Sequence, residues 1–157
     1  VETYERLYPV LFKRQEFRID AAGPGAYRGG TGCNFEVQIN VDAEYAFRGE
    51  GLHTPSCFGA AGGQVGGVGD MDLTFADGGS EQAPKYAVRH YGPLTLRAAS
   101  PGGGGWGDPR QRDPERVLRD IRDGVVSREA GQEVYGVALS ADGKSIDQAA
   151  TAALRAE

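Results

Sequence analysis

Residues 100–109, SPGGGGWGDP, place four consecutive glycines directly before Trp106, the only tryptophan of the chain. Such a run is costly to order, because glycine loses more backbone freedom on folding than any other residue. The run lacks the Lys-Ser/Thr pair of a phosphate-binding loop and does not lead directly into a helix. Two interpretations remain: a turn of positive-φ glycines with Trp106 buried in the core, or bare backbone against a substrate channel or a second subunit. The run contains no nucleophile or general base, which favours the structural interpretation.

The composition predicts one globular domain with appendages. The chain has 157 residues, 39% hydrophobic and 25% charged, and its 25 glycines are about twice the usual share. A net charge of -5 with scattered basic residues argues against nucleic acid or an anionic membrane as a partner. The sequence shows neither a membrane-spanning apolar run nor a leader pattern, so we expect a cytoplasmic protein.

Short alternating stretches indicate a mainly β fold. In residues 34–41, NFEVQINV, apolar and polar residues alternate with a period of two, as in a strand with one solvated face. Weaker strand patterns lie at 14–20, 70–75, 85–91 and 93–99. The short strands and their turns predict an antiparallel sandwich or open barrel. The long glycine-rich connections 21–32 and 49–70 differ from flexible linkers, and we expect them to be ordered.

The C-terminal part is predicted to form two or three short helices. Asp113 and Pro114 are typical of a helix start, an apolar stripe follows, and Gly124 ends the segment. Ser127 caps a second helix, and residues 146–155 form a third helical stretch. The predicted organisation is a β domain over 1–110 with a helical extension over 111–157 packed on it as one structural unit.

Residues 141–145, ADGKS, resemble the end of a nucleotide-binding loop between a strand and a helix. That motif requires a glycine at position 138, which is Ala138 in this chain. We therefore predict an ordinary Asp-Gly turn and no cofactor bound by this chain.

Few residues suit proton transfer or metal binding. His53 is the best acid–base candidate, since its ordinary pKa suits proton transfer, and Asp20, Arg28 and Asp108 also lie near the glycine-rich loops. Each of the four is more typical of a loop hydrogen bond or a solvated charge. Two cysteines and two histidines could form a zinc site, although their spacing does not favour one and free thiols are expected: Cys33, His53, Cys57 and His90.

Three motifs in order resemble the C-terminal region of the hydantoinase B/oxoprolinase family: EFRIDAAGPGAYRGGTG, HTPSCFGAAGG and SPGGGGWGDPRQRDPERVLRDIRDGVVSREAGQEVYGV. The similarity covers residues 10–139. Members of the family are usually several times longer, so the chain is either a fragment or a small subunit of an assembly in which the long polypeptide is divided. It looks most like the small (beta) subunit of an acetophenone carboxylase-type complex. The loop around Cys57 departs from the family pattern, which implies a different substrate or partner.

The resemblance implies ATP-dependent chemistry on a carbonyl group within a complex of larger hydantoinase A-like and hydantoinase B-like subunits. ATP and a divalent metal are expected on those partners. The implied function is to complete the hydantoinase B-like module of a ketone carboxylase that makes a β-keto acid from ketone and bicarbonate. The alternatives are part of an ATP-dependent hydantoinase or oxoprolinase that hydrolyses a cyclic amide, and a non-enzymatic binding or scaffold module. The family's catalytic residues belong to the N-terminal region that this chain lacks, so only loop elements are carried over as interface candidates: Gly102, Gly103, Gly104, Gly105, Trp106 and Gly107.

Overall fold

A computed structural model describes residues 1–156 as two antiparallel β-sheets with four short α-helices. The helices are α1 (Glu2–Leu7), α2 (Pro114–Arg122), α3 (Arg128–Glu133) and α4 (Gln148–Ala156), and a 3-10 turn covers Pro109–Gln111. The strands are β1 (Val10–Phe17), β2 (Cys33–Ile39), β3 (Ala43–Arg48), β4 (Asp70–Phe75), β5 (Ser80–Gln82), β6 (Tyr86–Tyr91) and β7 (Leu94–Ala99). Five strands form one sheet in the order β1-β2-β7-β4-β5, and β3 pairs with β6 in a second sheet.

The two sheets enclose a core between them. Strand register places Val37, Leu96 and Leu73 opposite one another on one face of the five-stranded sheet. Leu73 is completely buried in a cluster that also contains Phe47 of β3. The fold is therefore mainly β with α, as the sequence predicts, and of the two predicted architectures the facing sheets match the sandwich.

Beyond the ends of β1, β2, β4 and β7, three extended segments pack side by side. We call residues 21–30, 57–69 and 100–107 the glycine bundle. Backbone hydrogen bonds cross between the segments: Gly23 N–H donates to Gly103 O (2.7 Å), and Gly105 N–H donates to Gln64 O (2.9 Å). The glycine-rich connections are thus ordered by pairing with one another.

The glycines of the bundle are required because neighbouring backbone segments leave no room for a Cβ atom. A Cβ built on Gly102, Gly104 or Gly105 would lie less than 3.0 Å from a backbone oxygen of another segment, closer than real Cβ atoms come. Within residues 102–107 only Gly107 has a positive φ, of 76°. The interpretation as a turn of positive-φ glycines is therefore wrong for the four-glycine run, where close backbone approach excludes any side chain.

The first two helices of the tail begin at the capping residues that the sequence predicts. The Asp113 carboxylate accepts from the Glu115 N–H (3.0 Å) at the start of α2, and the Ser127 hydroxyl accepts from the Ala130 N–H (3.0 Å) at the start of α3. The tail has its own small core of buried side chains: Val117, Val126, Tyr135 and Val137.

A buried ion-pair network joins the tail to the glycine bundle. Asp120 of α2 is 6% exposed and accepts two hydrogen bonds from the guanidinium of Arg112, at 2.8 and 3.1 Å. The Nε of Arg28, in the bundle, lies 3.1 Å from the other Asp120 oxygen. Arg112 also donates to the Ala26 carbonyl at 3.1 Å. One carboxylate thus neutralises guanidinium groups from both parts of the chain.

The space argument is testable with two adjacent glycines. Gly29→Ala places a methyl group against the Gly103 carbonyl, whereas a Cβ on Gly30 meets no atom within 4 Å. We expect Gly29→Ala to lower the free energy of unfolding by about 2 to 3 kcal/mol, and Gly30→Ala to change it by less than about 1 kcal/mol. Urea unfolding of the two variants measures the difference. Equal effects would contradict the close-approach explanation.

The ion-pair network predicts a second contrast. Asp120→Asn leaves the Arg112 and Arg28 guanidinium groups without their counter-charge, and we expect a loss of about 3 kcal/mol in unfolding free energy. Asp123→Asn, at an exposed position at the end of the same helix, should change stability by less than about 0.5 kcal/mol. Thermal unfolding followed by circular dichroism compares the two variants. A stable Asp120→Asn protein would show that the charge network contributes little to holding the tail on the bundle.

Candidate functional site

Three aromatic side chains project from the glycine bundle, and we call Tyr27, Phe58 and Trp106 the aromatic face. Tyr27 and Trp106 are joined by two reciprocal backbone hydrogen bonds, at 2.8 and 3.0 Å. Their rings pack with centroids 5.7 Å apart at an interplanar angle of 55°. The exposed fractions are 61% for Tyr27, 54% for Trp106 and 84% for Phe58. Exposed aromatic groups of this size are typical of interaction sites.

Trp106 does not fill the core, contrary to the first interpretation of the 100–109 stretch. The backbone segments beside it approach too closely to leave a side-chain cavity, since a Cβ on Gly25 would lie 2.6 Å from the Trp106 nitrogen. The indole therefore projects outward from the bundle. Its anchoring contacts are made by its backbone and by the Tyr27 ring.

The connection 49–70 contributes a tight turn to the bundle. Gly63 N–H donates to Ala60 O (2.9 Å) across a turn in which Ala61 has a φ of 51° and Gly62 a φ of 92°. A left-handed conformation costs a residue such as alanine roughly 1 to 2 kcal/mol. The turn is held because the Ala60 N–H donates to the Gly105 carbonyl and the Ala60 carbonyl accepts from the Gly107 N–H, one residue on either side of Trp106.

Three of the four predicted acid–base candidates make structural contacts. Asp20 accepts from the Ser127 N–H at 2.9 Å and so helps to attach α3 to the bundle. Asp108 accepts from the Arg110 N–H at 2.9 Å and caps the 3-10 turn, and Arg28 pairs with Asp120. These geometries support caps and charge neutralisation.

The remaining candidate, His53, lies exposed in the connection 49–70. Of its three suggested zinc-site companions, Cys57 and His90 are exposed and Cys33 is half-buried in β2; both cysteines are free thiols. Across residues 1–156 no three His, Cys, Asp or Glu side chains are grouped closely enough to hold a metal ion. The structure therefore does not bring the four residues together as a metal site.

A row of alternating charges that the sequence did not reveal crosses the outer face of the five-stranded sheet. Register aligns Arg14, Glu36, Arg97 and Asp72 on four neighbouring strands. Arg97 Nε lies 3.0 Å from Glu36 Oε2, and these residues line a shallow groove of about 170 Å³. The alternation in each strand predicts a polar face, but only the register shows that opposite charges lie side by side. Arg97 pairs with Glu36, and Arg14 pairs with Glu16, so this is a solvated face that carries local charge pairs.

The clearest pKa shifts follow local structural contacts. A hydrogen bond from Arg14 holds the pKa of Glu16 below its ordinary value. Burial raises the pKa of Tyr135 in the tail core. Hydrogen bonds from the Ser140 hydroxyl (2.7 Å) and the Lys144 N–H (3.0 Å) lower the pKa of Asp142.

The ADGKS segment is a turn, as its sequence predicts. Gly143 has a φ of 69°, its N–H donates to Ser140 O (2.7 Å), and an isolated bridge between Leu139 and Ile146 closes the loop. Within this turn, the Asp142 carboxylate accepts hydrogen bonds from the Ser140 hydroxyl and the Lys144 N–H. The segment does not have the geometry of a phosphate-binding loop.

Among the described residues, no helix is long and apolar enough to cross a membrane.

Comparison with known proteins identifies relatives over nearly the whole chain. The B-type subunit of a putative D-/L-hydantoinase from Pseudomonas sp. (strain NS671) is 34% identical over 158 residues, which cover 99% of this chain and 26% of the relative. The beta subunit of caprolactamase from Pseudomonas jessenii is 35% identical over 170 residues, with coverage of 99% and 28%. The chain therefore spans about a quarter of the length of these relatives.

Ketone carboxylases are also similar to this chain. The delta subunit of acetophenone carboxylase from Aromatoleum aromaticum is 28% identical over 187 residues, 99% of this chain and 27% of that subunit. The nucleotide-free structure of acetone carboxylase superposes with a TM-score of 0.79 at 26% identity, over 99% of this chain and 25% of the other. The fold described above therefore occurs as a segment of longer subunits.

The family assignment rests on sequence and structure together. Residues 1–109, which contain both sheets and the glycine bundle, match the family described as Hydantoinase B/oxoprolinase. The resemblance inferred from the three motifs is thereby confirmed, and the chain belongs to the hydantoinase B/oxoprolinase family.

Proposed function

We propose that this chain completes the hydantoinase B-like module of a multi-subunit, ATP-dependent ketone carboxylase. In the reaction, the carbon α to the ketone carbonyl loses a proton and forms a bond to the carbon of bicarbonate. ATP transfers a phosphoryl group to the oxygen that bicarbonate loses, so the products are a β-keto acid, phosphate and the dephosphorylated nucleotide. The larger hydantoinase A-like and B-like subunits are the partners of this chain, and the complex is cytoplasmic.

The observation that carries this proposal is the fit of 99% of this chain onto one quarter of an acetone carboxylase chain, with a TM-score of 0.79. A segment that reproduces the fold of one quarter of a larger subunit is suited to contribute the same part of the module. The similarity to a subunit of acetophenone carboxylase also supports ketone chemistry.

The role assigned to this chain is positioning, while partners supply the reactive groups. The ADGKS segment forms an ordinary turn, and we expect ATP and a divalent metal to be bound by the larger subunits. Asp20, Arg28 and Asp108 are engaged in structural contacts. The glycine bundle provides a wall of hydrogen-bonded backbone segments, and its aromatic face is the candidate contact with a larger subunit. When that face is buried, water is excluded from the neighbouring region, which protects activated intermediates from hydrolysis.

A second candidate reaction is the ATP-dependent hydrolysis of a cyclic amide. Sequence identity favours this reaction. The chain is 34% identical to the hydantoinase subunit and 35% identical to the caprolactamase subunit, but only 28% identical to the acetophenone carboxylase subunit. In this reaction water adds to the ring carbonyl and the C–N bond breaks. The proposed place of the chain in the module is the same for both reactions.

The two reactions can be separated with the native complex. We would purify the complex through an affinity tag on this chain and supply ATP with labelled bicarbonate and acetone or acetophenone. Parallel assays would contain caprolactam or hydantoin. We expect label in a β-keto acid, reduced to the stable hydroxy acid with borohydride before acid removes the unreacted bicarbonate. Its formation should depend on ketone, ATP and this chain, and the chain alone should give no product.

Each other outcome has a defined meaning. Ring opening of the amides without label fixation would replace the first proposal with the second. Turnover by the isolated chain would contradict an accessory role. If the tagged chain purifies as a monomer, without larger subunits, the result would favour the binding-module alternative.

The aromatic face predicts a difference between two exposed residues. Trp106→Ala removes a large apolar contact from the candidate subunit surface, whereas His53→Ala removes a smaller exposed ring from the connection 49–70. We expect Trp106→Ala to weaken assembly by on the order of tenfold or more and His53→Ala to change it by less than about threefold. Subunit affinity measured by interferometry, with circular dichroism as a folding control, tests this contrast. Wild-type assembly by Trp106→Ala would exclude the aromatic face from the interface.

A further inference from the structure

The second layer of the sandwich covers only part of the five-stranded sheet. Its strand β6 lies above β4 and β5, because the Tyr91 ring packs 5.5 Å from the Phe75 ring and its hydroxyl hydrogen-bonds to Glu81. β6 therefore occupies the β5 side of the layer.

Strand β3 lies on the other side of β6, nearer to β7. Only three residues separate the end of β2 at Ile39 from the start of β3 at Ala43, whereas β6 leads into β7, so β3 lies on the β2 side of β6. After β3, the Gly51 carbonyl accepts from the Gly69 N–H at 2.7 Å, just before β4 begins. The unpaired edge of β3 is therefore directed toward the half of the large sheet formed by β2 and β1.

That half of the sheet continues the apolar inner face without a covering strand. Phe12 pairs with Val37, which places it on the inner face, and Gln15 pairs with Phe35 on the same face. Phe17, two residues after Gln15, shares this face and is 65% exposed. An apolar surface beside the core therefore lies open next to β3.

The backbone of β3 is free to pair along this edge. Gly49 N–H donates to Lys85 O at 2.8 Å, so the hydrogen-bonded pairs of this antiparallel ladder include Tyr45 and Phe47. No further strand pairs with β3 within residues 1–156. The residues that alternate with these pairs along β3 therefore direct their N–H and C=O groups to the free edge: Glu44, Ala46 and Arg48.

The edge of β1 is less accessible to an added strand. The Glu5 carboxylate of α1 accepts from the Phe12 N–H at 2.8 Å, and the ladder has an irregularity between Phe12 and Arg14. Both features hinder strand addition at that edge. A strand that covers the open apolar surface must therefore pair with β3.

We propose that the free edge of β3 receives an extended apolar segment of the larger hydantoinase B-like subunit. The segment would add a third strand to the second layer and cover Phe12, Phe17 and Phe35. This inference rests on the partner named in the proposed function. About three quarters of the hydantoinase relative lies outside the region that matches this chain, which leaves ample polypeptide to supply such a segment.

A second copy of this chain does not fit the same position. Its β3 already has its own five-stranded sheet beneath the inner face, with Phe47 buried against that sheet. Pairing two β3 strands would require both large sheets to occupy the same space. The occupant must instead be a strand whose inner face is still uncovered.

Hydrogen–deuterium exchange tests the proposal on the native complex purified through this chain. The backbone amides of Glu44, Ala46 and Arg48 should exchange on the order of a hundredfold more slowly in the complex than in the free chain. The amides on the outer edge of β6, at Tyr86, Val88 and His90, should remain unchanged. Equal protection of both edges, or none at β3, would overturn the proposal.

Matched proline variants provide a second test. Ala46→Pro removes an edge N–H from β3, and Val88→Pro removes one from the opposite strand at the directly paired position. We expect Ala46→Pro to weaken the affinity for the purified larger partner by on the order of tenfold or more, with little change for Val88→Pro. Circular dichroism establishes that both variants fold. Equal binding by the two variants would contradict pairing at β3.

The apolar surface is tested by Phe17→Ser against Val88→Ser, because these side chains are similarly exposed, 65% and 56%. Only Phe17→Ser should weaken binding, again by on the order of tenfold, even if the proline variants fail to fold.

A stable homodimer on light scattering, with β3 protected and no larger subunit present, would overturn the choice of occupant. A complex with the expected protection but neither proposed activity would refute the proposed function and leave this inference intact.

Discussion

The close approach of bare backbone segments is the constraint on which much of this structure depends. In the glycine bundle, carbonyl oxygens of one segment occupy the positions that Cβ atoms of another would need. Hydrogen bonds such as Gly23 to Gly103 hold the segments in register. This packing turns three connections between strands into a compact wall. It requires glycine at successive positions.

This constraint also explains where the aromatic groups go. A bundle without interior side-chain space leaves Tyr27, Phe58 and Trp106 on its surface. The sandwich has a related property, since two strands cover five and Phe17 stays exposed. Both surfaces are consistent with a chain that matches one quarter of its longer relatives, in which further polypeptide is available to cover them. The two surfaces belong to different parts of the fold, so each can contact a partner independently.

The sequence predicted regular elements best where local physics decided them. The alternation in residues 34–41 corresponds to β2, and the Asp113 cap corresponds to the observed start of α2. The patterns missed α1, β3 and β5. β5 has only three residues, all exposed, and so carries no apolar alternation. α1 buries no residue, and β3 is a short strand whose inner face is defined by packing on a sheet formed by distant residues. Among the candidate site residues, the sequence placed Asp20, Arg28 and Asp108 near the glycine-rich loops, but it could not show that all three were engaged in structural contacts.

By itself, the sequence determined the mainly β class, the capped helices of the tail, the rejection of a phosphate-binding loop at ADGKS, and the family resemblance. These features depend on neighbouring residues or on ordered motifs along the chain. Only the tertiary structure decided why four glycines stand in a row, why Trp106 is exposed, and which charges lie side by side across the sheet. Those features depend on distances between segments up to about 80 residues apart in sequence, as between Gly23 and Gly103, and local patterns carry no information about such distances.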